Sequence, residues 1–141
     1  MPAIIELRFF FYGTLVAGSA NRIAEAVHAT LTPAGEARVP GRLFAIPDRG
    51  GWYPALVTGK GEVVGKLYEA SAGFGEADLQ QLDAYEGPAY RRQSVRAKSE
   101  DGAHIATAYV WRVKLPARAV LVRDGDFAGW LRETGNRAFG A

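Results

Sequence analysis

The apolar positions of the chain follow different spacings in different stretches, and each spacing asks for a different element. From Ala3 to Tyr12 the run "AIIELRFFFY" is β-branched and aromatic on both phases. A half-exposed strand would alternate, so this pattern predicts a central strand covered on both faces. In "SANRIAEAVHATL", Ile23, Val27 and Leu31 recur every fourth residue, with Ser19 or Asn21 as N-cap and Pro33 closing the run. That spacing predicts an amphipathic helix. Extended character returns in "ARVPGRLFAI" (37–46), where Pro40-Gly41 predicts a bend or bulge that helps a sheet curl. "PDRGGW" reads as a loop, and "YPALV" and "EVVGKLYEA" read as two strands joined in a hairpin around Gly59-Lys60-Gly61.

Helical spacing reappears in "GEADLQQLDAYEGP", where Leu79 and Leu82 stand three apart and Tyr85 and Glu86 complete the next turn. Gly87 supplies a C′ residue and Pro88 forbids continuation. Two strands follow, "AYRRQSVRAK" and "HIATAYVWRV", linked by "SEDGA"; the second is apolar on both phases except at its ends. In "DGDFAGWLRETG", Asp124 or Asp126 caps a last helix whose Phe127, Trp130 and Leu131 share a side suited to sealing one end of a core, and Gly135 ends it. About six strands with three scattered helices, and no regular βαβ alternation, place the chain in the α+β class as a small mixed, barrel-like curled sheet.

Composition narrows the function more than the fold. With 141 residues and 48% apolar content the chain is expected to form one domain, residues 1–141. Lys and Arg exceed Asp and Glu by 17 to 15, a net charge of +2, which does not suggest a nucleic-acid partner. There is no cysteine, so thiolate nucleophiles, disulfides and thiol metal sites are excluded together. Neither a secretory signal nor an apolar run of membrane-spanning length is evident, and a cytoplasmic, soluble protein is expected.

Several chemistries drop out on their motifs. "TGKGE" lacks a phosphate loop's spacing, since Pro54 and Gly61 stand where Gly and Ser or Thr are needed. His28 and His104 are the only histidines, and the surface is the commoner place for each. No G-x-S-x-G elbow surrounds a serine. Carboxylate chemistry remains, and Glu86 is the candidate. A helix C-terminus, the like charge of Asp83 and the flanking Tyr85 and Tyr90 would each push its carboxyl toward a general base's working range. Position alone equally allows a solvated helix end paired with Arg91 or Arg92. Likewise Gly13 in "YGTL" is either a tight turn after the strand or an opening onto a nest of backbone N–H groups suited to a carboxylate.

Taken in order, "FFFYGTL", "GRLF" with "YPALV", "VVGKLYEA", "LDAYEGPAYRR" and "ATAYVW" resemble the gamma-glutamylcyclotransferase-like family, closest to its gamma-glutamylamine cyclotransferase and AIG2-like branch. The resemblance spans about residues 5–113 and leaves the last helix outside. It implies a small mixed barrel with flanking helices, no metal and no organic cofactor. It also implies a reaction: the α-amine of an L-gamma-glutamyl amine or peptide attacks its own γ-carbonyl, releasing 5-oxoproline and the free amine. Carried over by motif, Glu86 is the acid/base, and the backbone around Tyr12, Gly13, Thr14 and Leu15 cradles the glutamyl carboxylate. Tyr90 is assigned to the pocket wall or to a hydrogen bond near Glu86, while Tyr12 is either wall or core.

Such a reaction suits a chain without Cys, metal or triad, because one carboxyl can take a proton from the attacking amine and return it to the leaving nitrogen. The partner is then a small gamma-glutamyl molecule, with its leaving-group pocket expected on loops such as "PDRGGWY"; the leaving amine and the oligomeric state stay open. Two alternatives stand beside this reading: a non-catalytic module that binds a gamma-glutamyl compound or other small anion on the same fold, and a single-strand nucleic-acid binder stacking bases on Phe44, Trp52 and Tyr53.

Overall fold

The computed structural model describes residues 7–13, 25, 26 and 28–138. Six strands are present among them: β1 (Arg8–Phe11), β2 (Leu31–Asp48), β3 (Gly51–Ala70), β4 (Tyr90–Ser99), β5 (Gly102–Trp111) and β6 (Val120–Val122). Two helices accompany them, α1 (Glu76–Glu86) and α2 (Phe127–Thr134).

Five strands close on themselves. β1 pairs antiparallel with β3, β3 with β2, β2 with β4 and β4 with β5, and a parallel contact from β5 back to β1 completes the ring. β6 adds to the outside edge of β2. This is the mixed, barrel-like α+β arrangement that the hydrophobic pattern predicted.

The aromatic run of β1 explains itself in this barrel. Successive side chains of a strand point to opposite faces, and both faces here are covered. Phe10 and Tyr12 point into the barrel with Leu43, Leu56, Val63, Leu67, Ala108 and Val110. Phe9 and Phe11 point outward into a second cluster with Tyr68, Tyr109 and Leu82 of α1. Ala106, Ala108 and Val110 of β5 face the interior, while Tyr109 and Trp111 face the outer clusters; Ile105, however, lies 67% exposed. At one end, α2 seals the interior with buried Phe127 and with Trp130 and Leu131 packed against it. The Asp126 side chain caps this helix by accepting the Gly129 N–H at 3.1 Å, and Gly135 ends it with φ +72°.

Two expectations are corrected. The hairpin turn lies at Asp48–Gly51, not at Gly59-Lys60-Gly61: "YPALV" and "EVVGKLYEA" are two halves of the single strand β3, and both pair with β2. The glycines instead serve a bulge, because the register passes from Pro40↔Glu62 to Arg42↔Val57 and leaves Gly41 facing residues 58–61. A Cβ on Gly61 would stand 2.8 Å from the Gly41 carbonyl oxygen, so this close crossing requires glycine. The second correction concerns "SANRIAEAVHATL". Most of it, including Ile23 and Val27, lies outside the described residues; Glu25, Ala26 and His28 are helical, but Leu31 opens β2 opposite Ala70, and Pro33 sits within that strand at an irregularity. Pairing along β3 overrides the fourfold apolar spacing there.

Candidate active site

Helix α1 determines what Glu86 faces. Leu79, Leu82 and Glu86 fall on one stripe, because residues three and four apart are neighbours on a helix. Fully buried Leu82 anchors that stripe against the outer cluster of β1 and β5. At the start, Asp78 Oδ2 accepts the Gly75 N–H at 2.8 Å. At the end, Gly87 turns the chain with φ +86° and donates its N–H to the Asp83 carbonyl oxygen at 3.0 Å. The helix therefore ends at Glu86, and the chain returns as β4 at Tyr90.

Glu86 borders a cavity of ≈ 280 Å³ whose wall includes Phe10, Phe11, Tyr12, Gly13, Asp48, Tyr53, Pro54, Tyr85, Pro88, Ala89, Tyr90, Tyr109 and Trp111. Glu86 and Asp48 are its only charged side chains among the described residues, and both are acidic. Loss of water contact pushes the Glu86 carboxyl up to about 7. Among the described residues it has neither a hydrogen bond nor an ion pair to stabilise its charged form. A carboxyl in this state holds a proton about half the time at neutral pH, which suits a group that must both accept and donate one.

The surrounding tyrosines are committed elsewhere. Tyr12 Oη donates to the Tyr109 carbonyl oxygen at 2.5 Å and accepts the Leu56 N–H at 3.1 Å, tying β5 to β3 beneath the cavity. Tyr12 is thus wall and core at once. Tyr90 Oη donates to the Pro54 carbonyl oxygen at 2.5 Å, which makes Tyr90 a fixed wall. Burial pushes both phenols well above their ordinary range, joined by the charge of Glu86 at Tyr12 and by Tyr12 and then Glu86 at Tyr90, so they stay neutral. Tyr109 Oη donates to Asp83 Oδ1 at 2.7 Å, and the Arg92 guanidinium reaches the same oxygen at 2.8 Å. Arg92 is therefore paired with Asp83 and not with Glu86, and Arg91 Nη2 donates to Gln93 Oε1 at 3.0 Å. Desolvation raises the Glu86 carboxyl; the like charge of Asp83 does not contribute to the shift.

Gly13 lines the cavity, but the space beside it is occupied. A Cβ at this position would stand 2.3 Å from Pro54 Cγ, so the missing side chain admits the proline ring. Thr14 and Leu15, the other half of the expected carboxylate cradle, lie outside the described residues. Of the three aromatics considered as stacking platforms, Trp52 turns inward and packs on Trp130 at 5.0 Å, while Phe44 and Tyr53 both pack against the cluster of Ile46, Ala55 and Trp111, so the three do not form one exposed platform. His28 is not a plain surface residue either, since its ring meets Tyr68 edge-on at 4.5 Å.

Sequence reading did not single out Tyr109, Pro54 or Trp111 for the site, whereas "PDRGGWY", where it looked for a leaving-group pocket, supplies Asp48 and Tyr53 to the cavity wall. Alternation in "ATAYVW" could have flagged Tyr109 and Trp111 as sharing one face of β5, but only the fold brings that face under α1 and beside Pro54 of β3. The Trp111 indole Nε1 is buried with no hydrogen-bond partner among the described residues, an uncommon state for a buried polar group. Among the described residues, no three His, Asp or Glu side chains gather to hold a metal ion, and no helix is long and apolar enough to cross a membrane.

The structure is a closed mixed barrel whose covering helix ends in a glutamate that lines an acidic cavity and has no hydrogen-bond or ion-pair partner among the described residues. The chain belongs to the family described as "Gamma-glutamyl cyclotransferase, AIG2-like", whose sequence pattern matches residues 9–130. No curated protein matches it significantly in sequence. Among solved structures it is similar to YkqA from Bacillus subtilis, at 24% identity and a TM-score of 0.70, covering 93% of this chain but only 43% of that one. It is also similar to an AIG2-like protein from Mus musculus, at 21% identity and a TM-score of 0.63, covering 79% of this chain and 80% of that one. A structure titled "Gamma-glutamyl cyclotransferase" shares 18% identity and a TM-score of 0.56, covering 76% of this chain and 67% of that one. At these identities the likenesses carry the fold alone.

Proposed function

We propose that this protein is a cyclotransferase that acts on an L-gamma-glutamyl amine or peptide and releases 5-oxoproline with the free amine. The observation that carries the reading is the Glu86 carboxyl: desolvated, without a charged or hydrogen-bonded partner among the described residues, and on the wall of a cavity large enough for a small ligand.

In this reaction Glu86, as carboxylate, takes a proton from the substrate's α-ammonium. The freed nitrogen attacks the γ-carbonyl carbon of the same molecule, forming a C–N bond and a tetrahedral centre. As that centre collapses, the C–N bond to the leaving amine breaks, the proton on Glu86 passes to the departing nitrogen, and the attacking nitrogen gives up its second proton to become the lactam N–H, that proton being taken up by the released amine as its ammonium form. The carboxylate is regenerated and no water is consumed. Because nucleophile and electrophile share one molecule, holding the glutamyl chain folded removes much of the entropic barrier. A positioned acid/base adds about 10²–10⁴ in rate. Backbone N–H groups around residues 12–15 are assigned the glutamyl carboxylate, and Tyr12 and Tyr90, their hydroxyls held by backbone groups, shape the wall.

The test is a panel of gamma-glutamyl amines and dipeptides offered to purified protein with no added metal, with products read by mass spectrometry. Accumulation of 5-oxoproline is expected from at least one member. Tight binding of a panel member with no 5-oxoproline formed would replace this reading by the non-catalytic binding module.

A further inference from the structure

The closed ring of strands leaves one strand with a single neighbour. β6 pairs on one side with Leu43–Ala45 of β2, and among the described residues no strand pairs with its other side. A row of backbone N–H and C=O groups along such an edge is where a further strand can add. Successive side chains point to opposite faces, so Val120 and Leu121, at 39% and 45% exposure, leave one apolar position open on each face of this edge. Val113, on the approach to the strand, is exposed as well. Three of the four large apolar side chains exposed among the described residues, Val113, Val120 and Leu121, thus fall within nine positions of the chain, which marks this stretch and not the surface at large.

Charge along the same stretch is one-sided. Residues 112–123, "RVKLPARAVLVR", carry Arg112, Lys114, Arg118 and Arg123 and no acid. All four are exposed, and none has an ion pair among the described residues. Asp124, the first acid beyond them, accepts the Asp126 N–H at 3.1 Å. Like charges set side by side repel, so these cations disfavour pairing of the edge with a second copy of itself. A nucleic acid would answer the charge but leave the aliphatic side chains idle, because bases stack on aromatic rings and residues 112–123 contain none. We propose that the free edge of β6 is a docking site for an extended segment of another protein, in which two or three β-branched residues are flanked by acidic ones and which adds to the sheet as a further strand. Backbone hydrogen bonds supply the pairing, Val120 and Leu121 the apolar contact, and Lys114, Arg118 and Arg123 the selection by charge. The site is independent of the reaction assigned to Glu86.

The probe is the synthetic peptide acetyl-Glu-Glu-Val-Ile-Val-Glu-Glu-amide, titrated into the ¹⁵N-labelled full chain and followed by NMR. Saturable shifts are expected at the amides of residues 119–123. Two altered peptides separate pairing from charge. N-methylation of the three central residues removes their hydrogen-bond donors and should abolish binding. Lysine in place of every glutamate should weaken binding at least ~10-fold, as should the protein variant Lys114→Glu/Arg118→Glu/Arg123→Glu with the original peptide. The peptide comparisons need no altered protein, so they decide the matter even where the triple variant folds poorly. Absence of saturable binding, shifts confined to other strands, or undiminished binding of either altered peptide would overturn the site. Tighter binding of an oligouridylate than of the acidic peptide at the same amides would replace the protein partner by a nucleic acid and overturn it equally.

Discussion

Asp83 and Glu86 are one turn apart on α1, yet the fold gives them opposite surroundings. Asp83 Oδ1 receives two donors, the Tyr109 hydroxyl and the Arg92 guanidinium, which fix the helix to β5 and β4. Glu86 receives none from the described residues and is half-buried on the cavity wall, and this burial raises its carboxyl to about 7. Two carboxyls of nearly the same intrinsic acidity thus take different work: one is a structural tie, the other a group whose proton is free to move. On the proposed reading the perturbed acid is the one that moves the proton, and the satisfied acid three residues away is its control.

The sharpest way to break this contrast is Glu86→Gln, which keeps size and polarity and removes the titrating oxygen. Formation of 5-oxoproline should fall at least ~10²-fold while the circular dichroism spectrum stays unchanged. Near-normal turnover would remove Glu86 from the reaction. The same variant sharpens the contrast through stability. The folded-state pKa of Glu86 lies above its unfolded value, so folding binds a proton between about pH 4.5 and 7, and the unmodified protein loses stability as pH rises through that window. Above pH 7 the penalty is fully present, roughly 3 kcal/mol at one pKa unit per about 1.4 kcal/mol. Glu86→Gln should therefore unfold at higher urea than the unmodified protein at pH 8, with the gap closing by pH 4.5. A gap independent of pH would contradict the desolvated carboxyl.

Smaller effects are expected elsewhere. Gly13→Ala would drive a methyl group against the Pro54 ring, costing about 1–3 kcal/mol of stability by chemical denaturation. A change in KM for that variant reports this displacement together with any cradle lost, so stability and kinetics must be read as a pair. Asp83→Asn removes the charge that Arg92 meets at a half-exposed site and should cost about 1 kcal/mol. Its acid limb in a pH–rate profile should stay where the unmodified protein has it, because the Glu86 shift comes from burial.

Much of this arrangement was legible in the chain. Period-two and both-phase apolar runs placed β1, β4 and β5, and Gly87-Pro88 placed the stop that leaves Glu86 at a helix end. Local pattern misled where pairing partners decide. Gly59 and Gly61 look like a hairpin turn in isolation, and only the long β2 ribbon alongside turns them into a bulge. Leu31 fits a helical stripe, but β3 offers it a strand partner in Ala70. The pairing of Arg92 with Asp83 was equally invisible, since it needs β4 to run back beside α1 in register with Tyr109 of β5. Chain-local chemistry marked Glu86, which does line the cavity; the wall residues that meet it from other strands, Pro54, Tyr109 and Trp111, carry no such local mark.

The central claim is that the Glu86 carboxyl exchanges its proton near neutrality inside the cavity. A ¹³C NMR titration of the Glu86 side-chain carboxyl in the ligand-free protein measures this directly. A midpoint near 7 is predicted; a midpoint near 4.5, the ordinary value for a solvated glutamate, would contradict the account.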